Sequence, residues 1–221
     1  MAAVDIWVEG IADQKFLADV LNVWFGHPFD KKFEFRDNSG AVMIRIRRGN
    51  GISSFNSADG WNELKPFFEE NGLKGTINLV IVDADDDFEN RKSEITHTIA
   101  GLNFDPKKDL FLWPDHQPHA EKGDLEKLLE QIIHPEHQPI FNCWDNYENC
   151  LSGHSNKKYT TPARKTKIYA YLEALLGETQ SEKEKIKERE RDYSNTAHWN
   201  LDHTKEPLKP LYEFLKTHIV P

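Results

Sequence analysis

Cysteine and methionine are scarce in this 221-residue chain, with two of each. Cys143 and Cys150 form no CxxC pair and have no second pair nearby. One bridge between them stays open on sequence grounds, but a disulfide-built secreted scaffold is excluded. Long apolar runs are also missing. No stretch approaches the roughly 18 residues of a membrane span. Positive charge is in deficit, with a net charge of −9 and a pI near 5.6. Phosphate neutralisation dominates nucleic-acid affinity, so a protein that coats DNA with its whole surface is normally basic. A simple coating protein is therefore excluded. An enzyme whose acidic site is shielded by bound cations is not. The chain has no P-loop, no GxSxG, no GxGxxG and no HExxH. Its opening residues, MAAVDIWVEG, lack the basic region and apolar length of a signal peptide, so the expectation is a cytoplasmic protein without a membrane partner.

What is present argues for a folded core under a charged surface. Hydrophobic residues make up 38% and charged residues 29%, and six Trp and thirteen Phe supply large core pieces. The length favours one domain over residues 1–221, with a core at about 1–135 and a helical extension at about 140–221. Apolar spacing predicts strands at Val4–Val8, Lys32–Arg36, Val42–Ile46, Thr76–Val82 and Asp109–Trp113. Helices are predicted at Ala12–Trp24, Trp61–Asn71 with Gly72 as its stop, Phe88–Gly101, Asp124–Ile133, Arg164–Leu176 and Leu208–Phe214. TINLVIV, from Thr76, is continuously apolar, as a parallel strand covered on both faces should be. The order β-α-β-β-α-β-α-β-α implies an α/β fold with a mainly parallel sheet flanked by helices. In such sheets ligands bind beyond the carboxyl ends of the strands. The mixed-sign run Ser181–Asp192 reads as a solvated helix laced with ion pairs, or a mobile loop.

Carboxylates stand at those strand ends. Glu9-Gly10 follows the first strand, and Asp13 falls one helical turn later. Asp83-Ala84-Asp85 follows TINLVIV. Alternate residues of an extended segment face one side, so Asp83 and Asp85 are expected to converge on one hard cation. Crowded like charges make a bare solvated turn less natural there. Asp124 and Glu126 open a later helix, where plain capping is an equal reading. Asp115 is a weaker candidate of the same kind. His116, His119, His134 and His137 lie in Pro-rich loops without a transition-metal ligand pattern. Arg45, Arg47 and Arg48, and then Lys157, Lys158 and Arg164, form short basic segments that either hold a phosphate backbone or simply face solvent.

Glu9 with Asp13, then strand-Asp83-x-Asp85, on alternating elements and in this order, resembles the TOPRIM domain. That domain is shared by type IA and type II topoisomerases, primases, small nucleases and the overcoming-lysogenization-defect nucleases. Gly123-Asp124-Leu125-Glu126 before an apolar helix is similar to the third acidic motif of the last group, and Lys165 fits the lysine before a late helix in stand-alone TOPRIM-like bacterial proteins. The resemblance spans roughly Val4 to Leu176. It implies a TOPRIM/Rossmann-like fold with Glu9, Asp13, Asp83, Asp85, Asp124 and Glu126 holding Mg²⁺ or Mn²⁺. Glu9 would act as ligand or general base, and Lys165, or Lys167, would stabilise charge on the phosphate. The expected activity is a metal-dependent nuclease or related phosphoryl transfer on nucleic acid. The alternative is a non-catalytic module that binds a nucleotide or a protein partner.

Overall fold

The computed structural model describes residues 2–49, 58–99, 102, 104–155 and 158–219. Lys157 and part of the loop after Arg48 lie outside these residues. Strands β1 (Val4–Val8), β2 (Glu34–Arg36), β3 (Val42–Arg48), β4 (Ile77–Asp83) and β5 (Leu110–Trp113) form one sheet in the order β2-β3-β1-β4-β5. Only the β2–β3 pairing is antiparallel. Helices α1 (Ile11–Phe25), α2 (Ala58–Lys74), α3 (Phe88–Thr98) and α4 (Leu125–Gln131) alternate with the strands. A second helical group follows: α5 (Gln138–Gly153), α6 (Arg164–Leu176), the short α7 (Gln180–Glu184) and α8 (Lys209–Ile219).

The two-residue period of the strands divides the apolar side chains between two faces. Ile6, Leu79, Ile81, Phe111 and Trp113 face α1, while Trp7, Val80, Val82, Leu110 and Leu112 face α2 and α3. The α1 face carries the larger core. Phe141, Ile168, Tyr171, Leu172, Tyr193, Trp199, Leu211 and Leu215 all join it. The helices of the extension expected at about 140–221 thus form one wall of the core.

Other expectations also shift. α2 runs through Gly72, and the chain turns only at Gly75, which takes the left-handed conformation at φ 70°. The buried packing of Phe68 and Asn71 outweighs the roughly 1 kcal/mol cost of a helical glycine. β3 continues two residues beyond Ile46. α5 was not expected. It starts with proline in its first turn, where the missing N–H costs nothing. The Ser181–Asp192 run is solvated for most of its length: residues 181–184 lie in the exposed α7, and ion pairs join Lys187 to Glu184 and Glu188 to Lys165. After α7 it packs inward, and Ile186 and Arg191 are buried. Among the described residues no helix is long and apolar enough to cross a membrane.

Strand order sets the location of the site. From β1 the chain reaches β3 on one side of the sheet, and β4 lies on the other. The crevice at the carboxyl ends of β1 and β4 is the point where the winding reverses.

Candidate metal centre

Glu9 follows β1, and Asp83 ends β4, so the parallel β1–β4 pairing puts both at this crevice. The β1–α1 turn adds Asp13. Its Oδ2 accepts the Gly10 N–H at 2.9 Å, and its Oδ1 accepts the Trp113 indole N–H at 2.9 Å. A Cβ on Gly10 would stand 2.9 Å from Asp13 Oδ2, so a side chain there would displace the Asp13 carboxylate. Asp83 Oδ1 accepts the Leu125 N–H at 3.2 Å, at the start of α4. Asp124 caps that helix by accepting the Lys127 N–H at 2.8 Å. Capping and a place in the acidic cluster are thus both true of Asp124.

Extended backbone does not run from Asp83 through Asp85. Asp85 has φ 54°, a left-handed conformation that ends the extended alternation after Ala84. Backbone bonds to Gly123, 3.0 Å from the Asp85 N–H and 2.8 Å to the Asp85 carbonyl, hold it there. A Cβ on Gly123 would lie 2.8 Å from the Trp113 carbonyl oxygen and 2.9 Å from Ala84 Cβ, so this crossing needs glycine. Asp85 instead faces outward. Arg91 Nε is 3.8 Å and Lys122 Nζ 3.5 Å from its oxygens. The extended alternation expected between the two aspartates is broken by this turn.

The result is an inner group (Asp13, Asp83, Asp124, Glu126) and an outer group (Glu9, Asp85). Burial holds the carboxyl of Asp83 well above the usual range, and the charges of Asp13, Glu9, Glu126 and Asp124 push it further. Burial also raises Asp13 to about 7, with Glu9 and Glu126 adding to it. Glu9 is raised by burial against the pull of Arg91, and Glu126 by burial and then by Asp124. Among the described residues Asp13, Asp83 and Glu126 have no ion-pair partner within 4.0 Å.

Arg91 is the residue that sequence reasoning missed. It sits one turn into α3, behind the Asp87 N-cap, and points back to the strand ends. Its Nη2 donates to Glu9 Oε1 at 2.8 Å, and its Nε lies 3.4 Å from the Asp83 carbonyl oxygen. Arg191 was also missed. It is 1% exposed, donates to the Ile186 carbonyl and the Tyr193 hydroxyl, and its charge acts on Glu126. A charge run carries no signal that one of its members is buried.

The cationic candidates fare unevenly. Lys165 ion-pairs with Glu188, although its charge still reaches Glu126. Lys167 is engaged with Glu130 and Asp145. Arg45 and Arg47 are not at the mouth. They pair with Glu34 and the buried Asp5 on the sheet face. Arg48 is exposed at the end of β3, and Lys158 is exposed as well. Arg164 joins Glu121, Asp124 and Glu130. The histidines have structural roles: His116 accepts the Leu112 N–H, His119 contacts Asp115, and His137 contacts the Tyr171 hydroxyl.

The cluster offers only oxygen donors, which is the set that a hard divalent ion takes. As the side chains lie, no three His, Cys, Asp or Glu groups among the described residues enclose an ion position. The donor chemistry fits Mg²⁺ or Mn²⁺, and the present side-chain directions are those of carboxylates bonded to protein donors.

The family described as a protein of unknown function, DUF3226, matches residues 4–219. The chain belongs to this family. The DUF3226 match takes in β1 through α8, and so includes every carboxylate of the cluster and both buried arginines. No curated protein and no solved structure matches the chain.

Proposed function

We propose that this DUF3226 protein is a divalent-metal-dependent phosphodiester enzyme of TOPRIM type that acts on nucleic acid, with nuclease-like chemistry. One observation carries the reading: Asp83, half-buried at the end of β4, stands among the carboxylates of Asp13, Glu9, Glu126 and Asp124, which oppose its ionisation. Such crowding is costly unless a cation is supplied. Asp13, Asp83, Asp124 and Glu126 would hold one ion, and Glu9 with Asp85 would hold or share another. Bound Mg²⁺ or Mn²⁺ would activate the attacking water and stabilise the leaving oxygen.

The chain's own residues supply the rest. Trp113 and the Gly10 N–H fix Asp13, the Leu125 N–H fixes Asp83, and the Gly123 bridge fixes Asp85. Preorganised ligands of this kind lose little freedom at the moment of reaction. Glu9, whose charge reaches Asp13 and Asp83 of the inner group, would serve as ligand or general base. Lys165 serves the developing phosphate charge once it leaves Glu188. Arg48 and Lys158, both exposed, and Arg164, beside Asp124, would meet a phosphate backbone.

A second reading is a non-catalytic module that binds a nucleotide or a protein. The occupation of Glu9 by Arg91 favours it. The test is cleavage of supercoiled plasmid, single-stranded DNA and RNA with Mg²⁺ or Mn²⁺, comparing the wild type with Asp83→Ala/Asp85→Ala. Metal-dependent cutting that is lost in the double variant is the expected outcome. A folded wild type that binds metal and cuts none of the three substrates would turn the assignment to the binding module.

A further inference from the structure

Arg91 occupies the place that a cation would take beside Glu9. Its side chain is 5% exposed and that of Glu9 11%, so the pair is largely withdrawn from water. Besides the 2.8 Å bond to Glu9, its Nε lies near both the Asp83 carbonyl and the Asp85 carboxylate. One guanidinium thus touches three residues of the two motifs at the strand ends. A divalent ion bound to either oxygen of Glu9 would stand beside this guanidinium, and the two positive charges would repel strongly.

The structure also offers Arg91 somewhere to go. It lines a recess of about 260 Å³ with Asp85, Asp86, Asp87, Asn90 and Glu94. Asp86 and Asp87 are exposed, so the recess opens to water, and its carboxylates can receive a guanidinium. Both positions are within reach of one side chain rooted in the second turn of α3.

We infer that Arg91 is the resident cation of this centre: it neutralises Glu9 in the metal-free protein and must swing into the Asp86–Asp87–Glu94 recess before a divalent ion can use Glu9. This rests on the metal-site reading above. The displaced guanidinium then stands at the mouth, with its planar array of donors facing an arriving phosphodiester. Metal loading and phosphate recognition become successive steps, in that order. A carboxylate cluster with no internal cation would have no such order.

The test needs no catalytic readout. Mn²⁺ binding is measured by counting free Mn²⁺ with electron paramagnetic resonance, for the wild type, Arg91→Gln, Arg91→Lys and Asp83→Asn. Arg91→Gln is expected to bind Mn²⁺ on the order of tenfold more tightly, equivalent to about 1.4 kcal/mol of competition. Arg91→Lys should stay near wild type, and Asp83→Asn should lose binding. Should Arg91→Gln fail to fold, the wild type alone decides. The Arg91 Nε–H resonance, protected in the metal-free protein, should lose protection at saturating Mg²⁺. Unchanged or weaker Mn²⁺ binding in a folded Arg91→Gln, or protection that survives Mg²⁺ saturation, would overturn the inference and leave the metal site standing. Absence of Mn²⁺ uptake by both wild type and Arg91→Gln would remove the metal site itself, and the inference with it.

Discussion

Replacing Asp13 by Asn separates two forces that act on that carboxyl in opposite directions. Two N–H donors, from Gly10 and Trp113, favour the anion. Burial and the charges of Glu9 and Glu126 favour the acid, and they dominate, moving the group from 3.8 to about 7. A group raised in the folded state gives stability that is complete below its unfolded value and is lost as pH climbs through the folded value. At 1.36 kcal/mol per pH unit, this interval corresponds to a loss of about 4 kcal/mol in the metal-free wild type by pH 7. Asp13→Asn cannot undergo that loss. It does lose one of the two hydrogen bonds, because its amide NH₂ must face an N–H donor, at a pH-independent cost of about 1–3 kcal/mol. The readout is therefore the slope of the difference between the two proteins, from urea denaturation in EDTA between pH 4 and 8. Asp13→Asn should gain on the wild type by up to about 4 kcal/mol between pH 4 and 7, with a plateau above. His116, whose burial lowers it to about 4, titrates in both proteins and cancels in the difference. A flat difference, or one in which the wild type gains as pH rises, would show that the two N–H bonds outweigh burial.

Two further outcomes test the framework around the site. Gly123→Ala forces a methyl against the Trp113 carbonyl and Ala84, and should cost about 1–3 kcal/mol by urea denaturation. It should also shrink the Mg²⁺-induced rise in Tm, since Asp85 and Asp124 flank the displaced residue; an unchanged rise would show that the bridge does not set the site. Arg47→Ala removes the 2.6 Å partner of buried Asp5, and should destabilise by about 1–3 kcal/mol while leaving nucleic-acid affinity unchanged at two salt concentrations. A drop in affinity without a drop in stability would return Arg47 to the nucleic-acid interface.

Much of this was legible in the chain because it depends on local periodicity. TINLVIV could only be a strand covered on both faces, and Glu9 and Asp83 follow their strands directly. The turn at Asp85 was not legible, because alternation is a property of extended backbone and the chain leaves that conformation at Asp85 itself. The contact that holds the turn comes from Gly123, far along the sequence. Arg91 carried no signal, since an arginine on a polar helix is normally solvated, and only the packing of α3 against β4 reveals its partner. Arg45 and Arg47 looked like a basic strip because their acidic partners, Glu34 and Asp5, lie on other strands. The arginine of the Ser181–Asp192 run is buried by aromatic contacts, with its guanidinium 4.4 Å from the Tyr169 ring, which no charge pattern encodes.

The way the last segment closes has a consequence for how the protein comes into being. The Tyr193 N–H donates to Asp19 on α1, the Trp24 indole N–H donates to the Leu201 carbonyl, and Trp199 bridges to Ile133. The acidic residues are drawn mostly from the first 126 positions, yet the wall behind them is supplied by residues 186–219. Until the later residues are made, Phe16 lacks the Tyr193 ring that packs edge-on against it, and Glu126 has no Arg191. The carboxylates exist long before the cavity that gives them their character. The surroundings of this cluster therefore depend on residues 186–219, which are made after every carboxylate in it.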